Sequence, residues 1–209
     1  MIGKAILAVS FLAFILERRL IAKHGKDLSR RRLSGFEIAR QLLDAGGHAN
    51  VIVEPGTEKR KPGGVKQLYL PPAVYEGKTL ASIARAAREA SLLCRASSAV
   101  LPFDMSRGLY FFVTFAWLLL AVGLLAGDLR WLQSMGWMIF GLVFFLGLIR
   151  LPLETEAGQH AYEWLKQSGY FEVDELVKIK NNLRGLRLEP LAEIFTAPAG
   201  LASVVFARK

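Results

Sequence analysis

Residues 109–127 read LYFFVTFAWLLLAVGLLAG and residues 131–149 read WLQSMGWMIFGLVFFLGLI, with no charged side chain in either and DLR between them. At about 1.5 Å per residue, each helix would span close to the roughly 30 Å of a bilayer's hydrocarbon core. The short link forces an antiparallel arrangement, so the pair predicts a transmembrane helical hairpin over 109–150. Trp131 and Trp137 lie towards one end and Tyr110 towards the other, where amphipathic rings sit at a membrane interface. The alternative is the buried core hairpin of a soluble protein, which the length and missing charge disfavour.

Working outward, residues 5–16, AILAVSFLAFIL, form a shorter apolar run followed by ERRLIAKHGKDLSRRR. No small-residue cleavage site follows, which argues against a removable signal peptide. We expect an N-terminal membrane anchor over 1–16, with an interfacial helix as the alternative. The basic flank carries Arg18, Arg19, Lys23, Lys26, Arg30, Arg31 and Arg32. By the positive-inside bias, this flank places residues 17–108 and 151–209 on the cytoplasmic side. The chain's net charge of +9 fits anionic lipid headgroups as partners. A nucleic-acid partner is not expected, because basic and aromatic residues are not interleaved. Hydrophobic content of 53% beside 22% charged residues fits apolar blocks alternating with charged ones. The single cysteine, Cys94, excludes an internal disulfide and reads as a small core residue.

The polar parts predict a helical domain with a little β-structure. In SGFEIARQLLDAGG, Ser34 and Glu37 have capping-box spacing, Ile38, Leu42 and Leu43 make an apolar stripe, and Gly46 and Gly47 stop the helix. Val51–Glu54 and Val65–Leu70 alternate as strands, and the basic turn EKRKPGG between them predicts a small β-hairpin. Thr79 or Ser82 opens a helix in the segment 79–97. Residues 151–170 leave the hairpin at a proline and continue as a helix with Ala157, Ala161, Trp164 and Leu165 inward. EVDELVKIKNNLRGLRL is a further helix, and the C-terminal run to Lys209 reads as packed or interfacial. The fold class is therefore a mainly α integral membrane protein. It has an N-terminal anchor helix, a transmembrane helical hairpin and a cytoplasmic helical domain bearing the β-hairpin.

In this order of parts the chain resembles the YugP-like family of neutral zinc membrane metallopeptidases. The resemblance is carried by SGFEIARQLLD, VIVEPG, VKQLYLPPAVYEGKTLASIARAA, the apolar hairpin and LPLETEAGQHAYEWL. It implies a bacterial inner-membrane, multi-pass protein. It also places the family's HExxH on Arg88, Glu89, Ala90, Ser91 and Leu92. That motif works because two histidines four apart share a helix face and one metal, with the glutamate activating bound water. Arg88 is a fixed cation and Leu92 has no donor atom, so only Glu89 survives. EKRKP at 58–62 replaces the family's DHYDP, and Glu154 in LPLET stands where a third ligand is expected.

No metal or other cofactor is expected, and His24, His48 and His160 read as surface or capping residues. Arg88, Glu89, Leu92 and Glu154 are thus a degenerate former metal site. Arg88 either replaces the metal by pairing with Glu89 or Glu154, or shares a solvated basic face with Arg85 and Arg95. The expected function is that of a non-catalytic pseudo-metallopeptidase. It would serve as a structural subunit or assembly factor of a larger membrane complex, whether respiratory, photosynthetic or transport. Gly123 and Gly127 at GxxxG spacing, with Gly136 and Gly141, are candidate helix-packing positions. The alternatives are a residual hydrolase using Glu89 or Glu154 and a lipid-binding regulator using residues 18–32.

Overall fold

The structure is a computed structural model that describes residues 2–24, 26–56, 67–96, 105–125, 130–192 and 195. It is mostly helical. The helices are α1 (Ile2–His24), α2 (Gly35–Ala45), α3 (Pro72–Tyr75), α4 (Leu80–Ala96), α5 (Met105–Leu125), α6 (Arg130–Gln167) and α7 (Val173–Leu186). Strands β1 (Ile52–Pro55) and β2 (Gln67–Leu70) complete it. The chain divides into two compact units. One takes in Met1–Glu17, Pro102–Leu151 and Leu188–Lys209, the other Arg18–Leu101 and Pro152–Arg187.

In the first unit, Val113, Ala116 and Leu120 of α5 pack against Phe140 and Val143 of α6. Gly136 makes the close approach possible: a Cβ there would lie 2.9 Å from Leu120 Cγ and 3.1 Å from the Ala116 carbonyl oxygen. Phe195 stacks edge-on against Phe11 with centroids 5.5 Å apart and also meets Trp117. The other faces are apolar and exposed, including Phe112, Leu118 and Val122 on α5 and Met138, Leu142 and Phe145 on α6. Among the described residues, one helix, Trp131–Gln167, is long and apolar enough to cross a membrane, and Phe112–Gly123 is a shorter apolar stretch.

The second unit is built around α2 and α4. Ser34 caps α2: its Oγ accepts from the Glu37 amide, and the Glu37 carboxylate accepts from the Ser34 amide at 2.7 Å. Both bonds satisfy donors that a helix start leaves open. Ile38, Ala39, Leu42 and Leu43 then bury one face against Ile83, Ala84, Ala86, Ala87 and Ala90 of α4. Alanines keep the two helices close without leaving cavities. Gly35 sits so near the Val74 carbonyl that a Cβ would lie 2.1 Å from it. Ala161 and Leu165 of α6 and Ile179, Leu183 and Leu186 of α7 complete the same core.

One expectation needs correction here. The strands are not a hairpin: β1 and β2 pair in parallel, Ile52 beside Gln67 and Pro55 beside Leu70. Alternating side chains reveal a strand and its buried face but not the direction of its partner. The intervening residues 56–66 are close to the dozen or so that a parallel crossover needs. The expected basic turn, residues 58–64, lies outside the described residues. Helix α6 runs continuously through Pro152. Proline withholds one backbone donor, from the Leu148 carbonyl, and a long helix packed on both sides of the gap survives that loss. Likewise α1 continues beyond residue 16 to His24.

Candidate functional site: a buried arginine between two glutamates

Thr79 starts α4. Its Oγ1 accepts from the Ser82 amide at 3.2 Å, as an N-cap should. From there the 3.6-residue period brings Ala84, Ala87 and Ser91 inward together with Arg88. Arg88 is 5% exposed, not part of a solvated face. Its guanidinium meets three negative groups. One terminal nitrogen donates to Glu89 Oε1 at 2.8 Å, and the other donates to the Leu186 carbonyl oxygen at 3.0 Å. Nε lies 3.4 Å from Oε2 of Glu154, close enough for an ion pair though longer than a good hydrogen bond.

Glu154, on α6 just past Pro152, is 2% exposed. Leu186 closes α7, where backbone carbonyls lack intrahelical donors and the helix dipole is negative. A buried carboxylate and an open helix end converge on one cation, and the fixed guanidinium fork suits several acceptors at once. Each burial alone would be costly, and together they offset one another.

The same helix pair carries two further contacts. His160 Nδ1 lies 3.2 Å from Ser91 Oγ, and Arg95 donates to Glu156 at 2.9 Å. Burial, and then the nearby Arg95 charge, hold the His160 ring below its ordinary pKa. His160 is thus not the surface or capping residue expected from sequence. The Ser–His pair does not form a nucleophile site, because Ser91 is fully buried within the helix face. Leu92 is half-buried one turn beyond Arg88.

The other candidate residues are dispersed. Arg30 pairs with Glu172 and lies 3.3 Å from Asp174, and its amide donates to Glu175 at 2.9 Å. Arg31 lies over the Tyr170 ring at 5.4 Å. These two cations therefore face the protein's own acidic and aromatic groups at the start of α7. Arg19, Lys26 and Arg32 are exposed, as is Arg18 apart from its own contacts, while the side chain of Lys23 is not described. A Cβ on Gly141 would meet nothing within 4 Å, so close packing does not require glycine there. The Gly123 carbonyl accepts from Gln133 at 2.9 Å, and Gly127 lies outside the described residues.

The family profile described as "Putative neutral zinc metallopeptidase" matches residues 1–207. The chain belongs to that family. It is also similar to "Putative membrane protease YugP" of Bacillus subtilis (strain 168), with 28% identity over 178 residues, covering 82% of this chain and 79% of that protein. No solved structure matches it. At the positions where the resemblance places the zinc-binding helix, Arg88 offers a guanidinium and Leu92 an isobutyl group, and neither can ligate zinc. Among the described residues, no three His, Cys, Asp or Glu side chains converge as ligands.

Proposed function

We propose that this member of the metallopeptidase family is non-catalytic and that Arg88 supplies in permanent form the positive charge a metal would bring. The observation that carries this is Arg88 buried between Glu89 and Glu154, with ion-pair distances of 2.8 and 3.4 Å. A zinc-free scaffold that kept Glu154 without a cation would bury an uncompensated carboxylate. The guanidinium removes that cost.

On this basis the protein serves as a multi-pass membrane scaffold, a structural subunit or assembly factor of a larger complex in the bacterial inner membrane. The exposed apolar faces of α5 and α6 support membrane insertion. Within the apolar window of α6 only 22% is buried, whereas the core helix of a soluble protein would be mostly covered. The bias of Lys and Arg then favours a cytoplasmic second unit.

The test is metal content and activity of the full chain extracted in mild detergent. Wild type should carry far less than one zinc per chain and show the same negligible peptide hydrolysis as Glu89→Gln. Restoring both donors, Arg88→His with Leu92→His, should create zinc uptake. Stoichiometric zinc in wild type, lost on Glu154→Gln, would overturn the proposal. The scaffold role predicts copurification with other membrane subunits at fixed stoichiometry, and a free monomer alone would contradict it.

A further inference from the structure

The last two turns of α7 and its C-cap place Lys180, Arg184 and Arg187 along one side, at spacings of four and three residues. Facing them on α6 are Gly158, Gln159, Tyr162 and Glu163, and between the two lies a cavity of about 390 Å³. Small-molecule sites typically begin near 300 Å³. The Lys180 amine sits over the Tyr162 ring at 5.1 Å, which fixes it at one wall. Arg187 reaches across to α6, where its Nε would lie 3.5 Å from a Cβ added at Gly158, an ordinary contact distance.

We propose that this cavity binds a phosphate-bearing ligand through Lys180, Arg184 and Arg187. Several other cations of this unit meet carboxylates: Arg30 with Glu172 and Asp174, Lys178 with Asp27, Arg40 with Asp44, Arg88 with Glu89 and Glu154. Among the described residues, none of the three cavity cations has a carboxylate partner, and Glu163 is the one acid in the lining. Arg187 Nε is buried and makes no hydrogen bond. A buried donor left open is costly, so its position calls for an acceptor that the chain does not itself provide.

Burial and the adjacent Arg184 both press the Arg187 pKa downward, a repulsion that an anion would relieve. Attraction to the helix C-terminus accounts for basic residues in the last turn. It explains neither Lys180, a full two turns earlier, nor the buried Nε. A dianionic phosphate balances three cations and one carboxylate, whereas a monocarboxylate leaves the lining positive.

The experiment uses the full chain in neutral detergent. Inorganic phosphate and glycerol 3-phosphate are titrated by calorimetry. Phosphatidylglycerol and phosphatidylcholine are compared as bound lipids by native mass spectrometry. Saturable binding of a phosphate probe, or retention of phosphatidylglycerol over phosphatidylcholine, supports the site. The first result identifies a soluble ester as the source and the second a lipid headgroup. Lys180→Gln with Arg184→Gln alters exposed side chains only and should weaken binding about tenfold or more, the loss expected for charge-assisted bonds. Lys78→Gln, an exposed cation that does not line the cavity, should leave it unchanged. Failure of every phosphate probe, equal binding by the Lys180/Arg184 variant, or equal competition by acetate would overturn the assignment.

Discussion

Arg88 Nε and Glu154 Oε2 lie 3.4 Å apart, with the two side chains only 6% and 3% exposed. This links α4 to α6 through charges that water scarcely reaches. Removing one partner strands the other, at a cost of about 3–5 kcal/mol. We expect Arg88→Met and Glu154→Gln each to lower the unfolding midpoint strongly in detergent. The double variant should recover much of the loss, since an apolar replacement of a buried pair is often neutral. Strictly additive effects would show that the two groups do not interact.

The burial of His160, with the Arg95 charge nearby, gives a pH dependence. The folded ring has a pKa below its ordinary 6.5. Below pH 6.5 the unfolded chain therefore takes up the proton first, and stability falls as the pH drops through the folded value. Above 6.5 the ring is neutral in both states and contributes no slope. Unfolding midpoints measured across this range should show a drop that His160→Gln abolishes.

Ser34→Ala removes the oxygen that satisfies the Glu37 amide and should cost about 1 kcal/mol. Two bonds from Ser34, backbone first and then hydroxyl, hold the Glu37 carboxyl below its ordinary pKa of 4.5. This contribution is complete above pH 4.5 and is lost as the pH falls through the folded value. Glu37→Gln should flatten the acid limb of the stability profile.

Gly136 and Gly141, both within α6, should respond oppositely to alanine. At 136 the new methyl meets Leu120 and the Ala116 carbonyl, so α5 and α6 must part and thermal stability should fall. At 141 the methyl meets open space, and the better helix propensity makes the change neutral or stabilising by up to about 1 kcal/mol. Thermal unfolding of the two variants checks the contrast.

Much of this was legible locally. The Ser34–Glu37 box, the stripe through Ile38, Leu42 and Leu43, and the inward Ala157, Ala161 and Leu165 follow from helix period and cap chemistry, which are encoded within a few residues. The family could be recognised from the order of its parts. What escaped were relations between distant segments. Strand direction is not written in alternation. Ser91 and His160 stand 69 residues apart, so neither signals the other. The contacts of Arg30 and Arg31 with Glu172, Asp174 and Tyr170 could not be read from the basic run, because these partners come so much later in the chain.

The cation between α4 and α6 is part of the polypeptide. It cannot be stripped by a chelator, exchanged for a competing ion or withheld during scarcity. The junction those helices share is therefore complete as soon as the chain folds, whatever the cell's supply of transition metals.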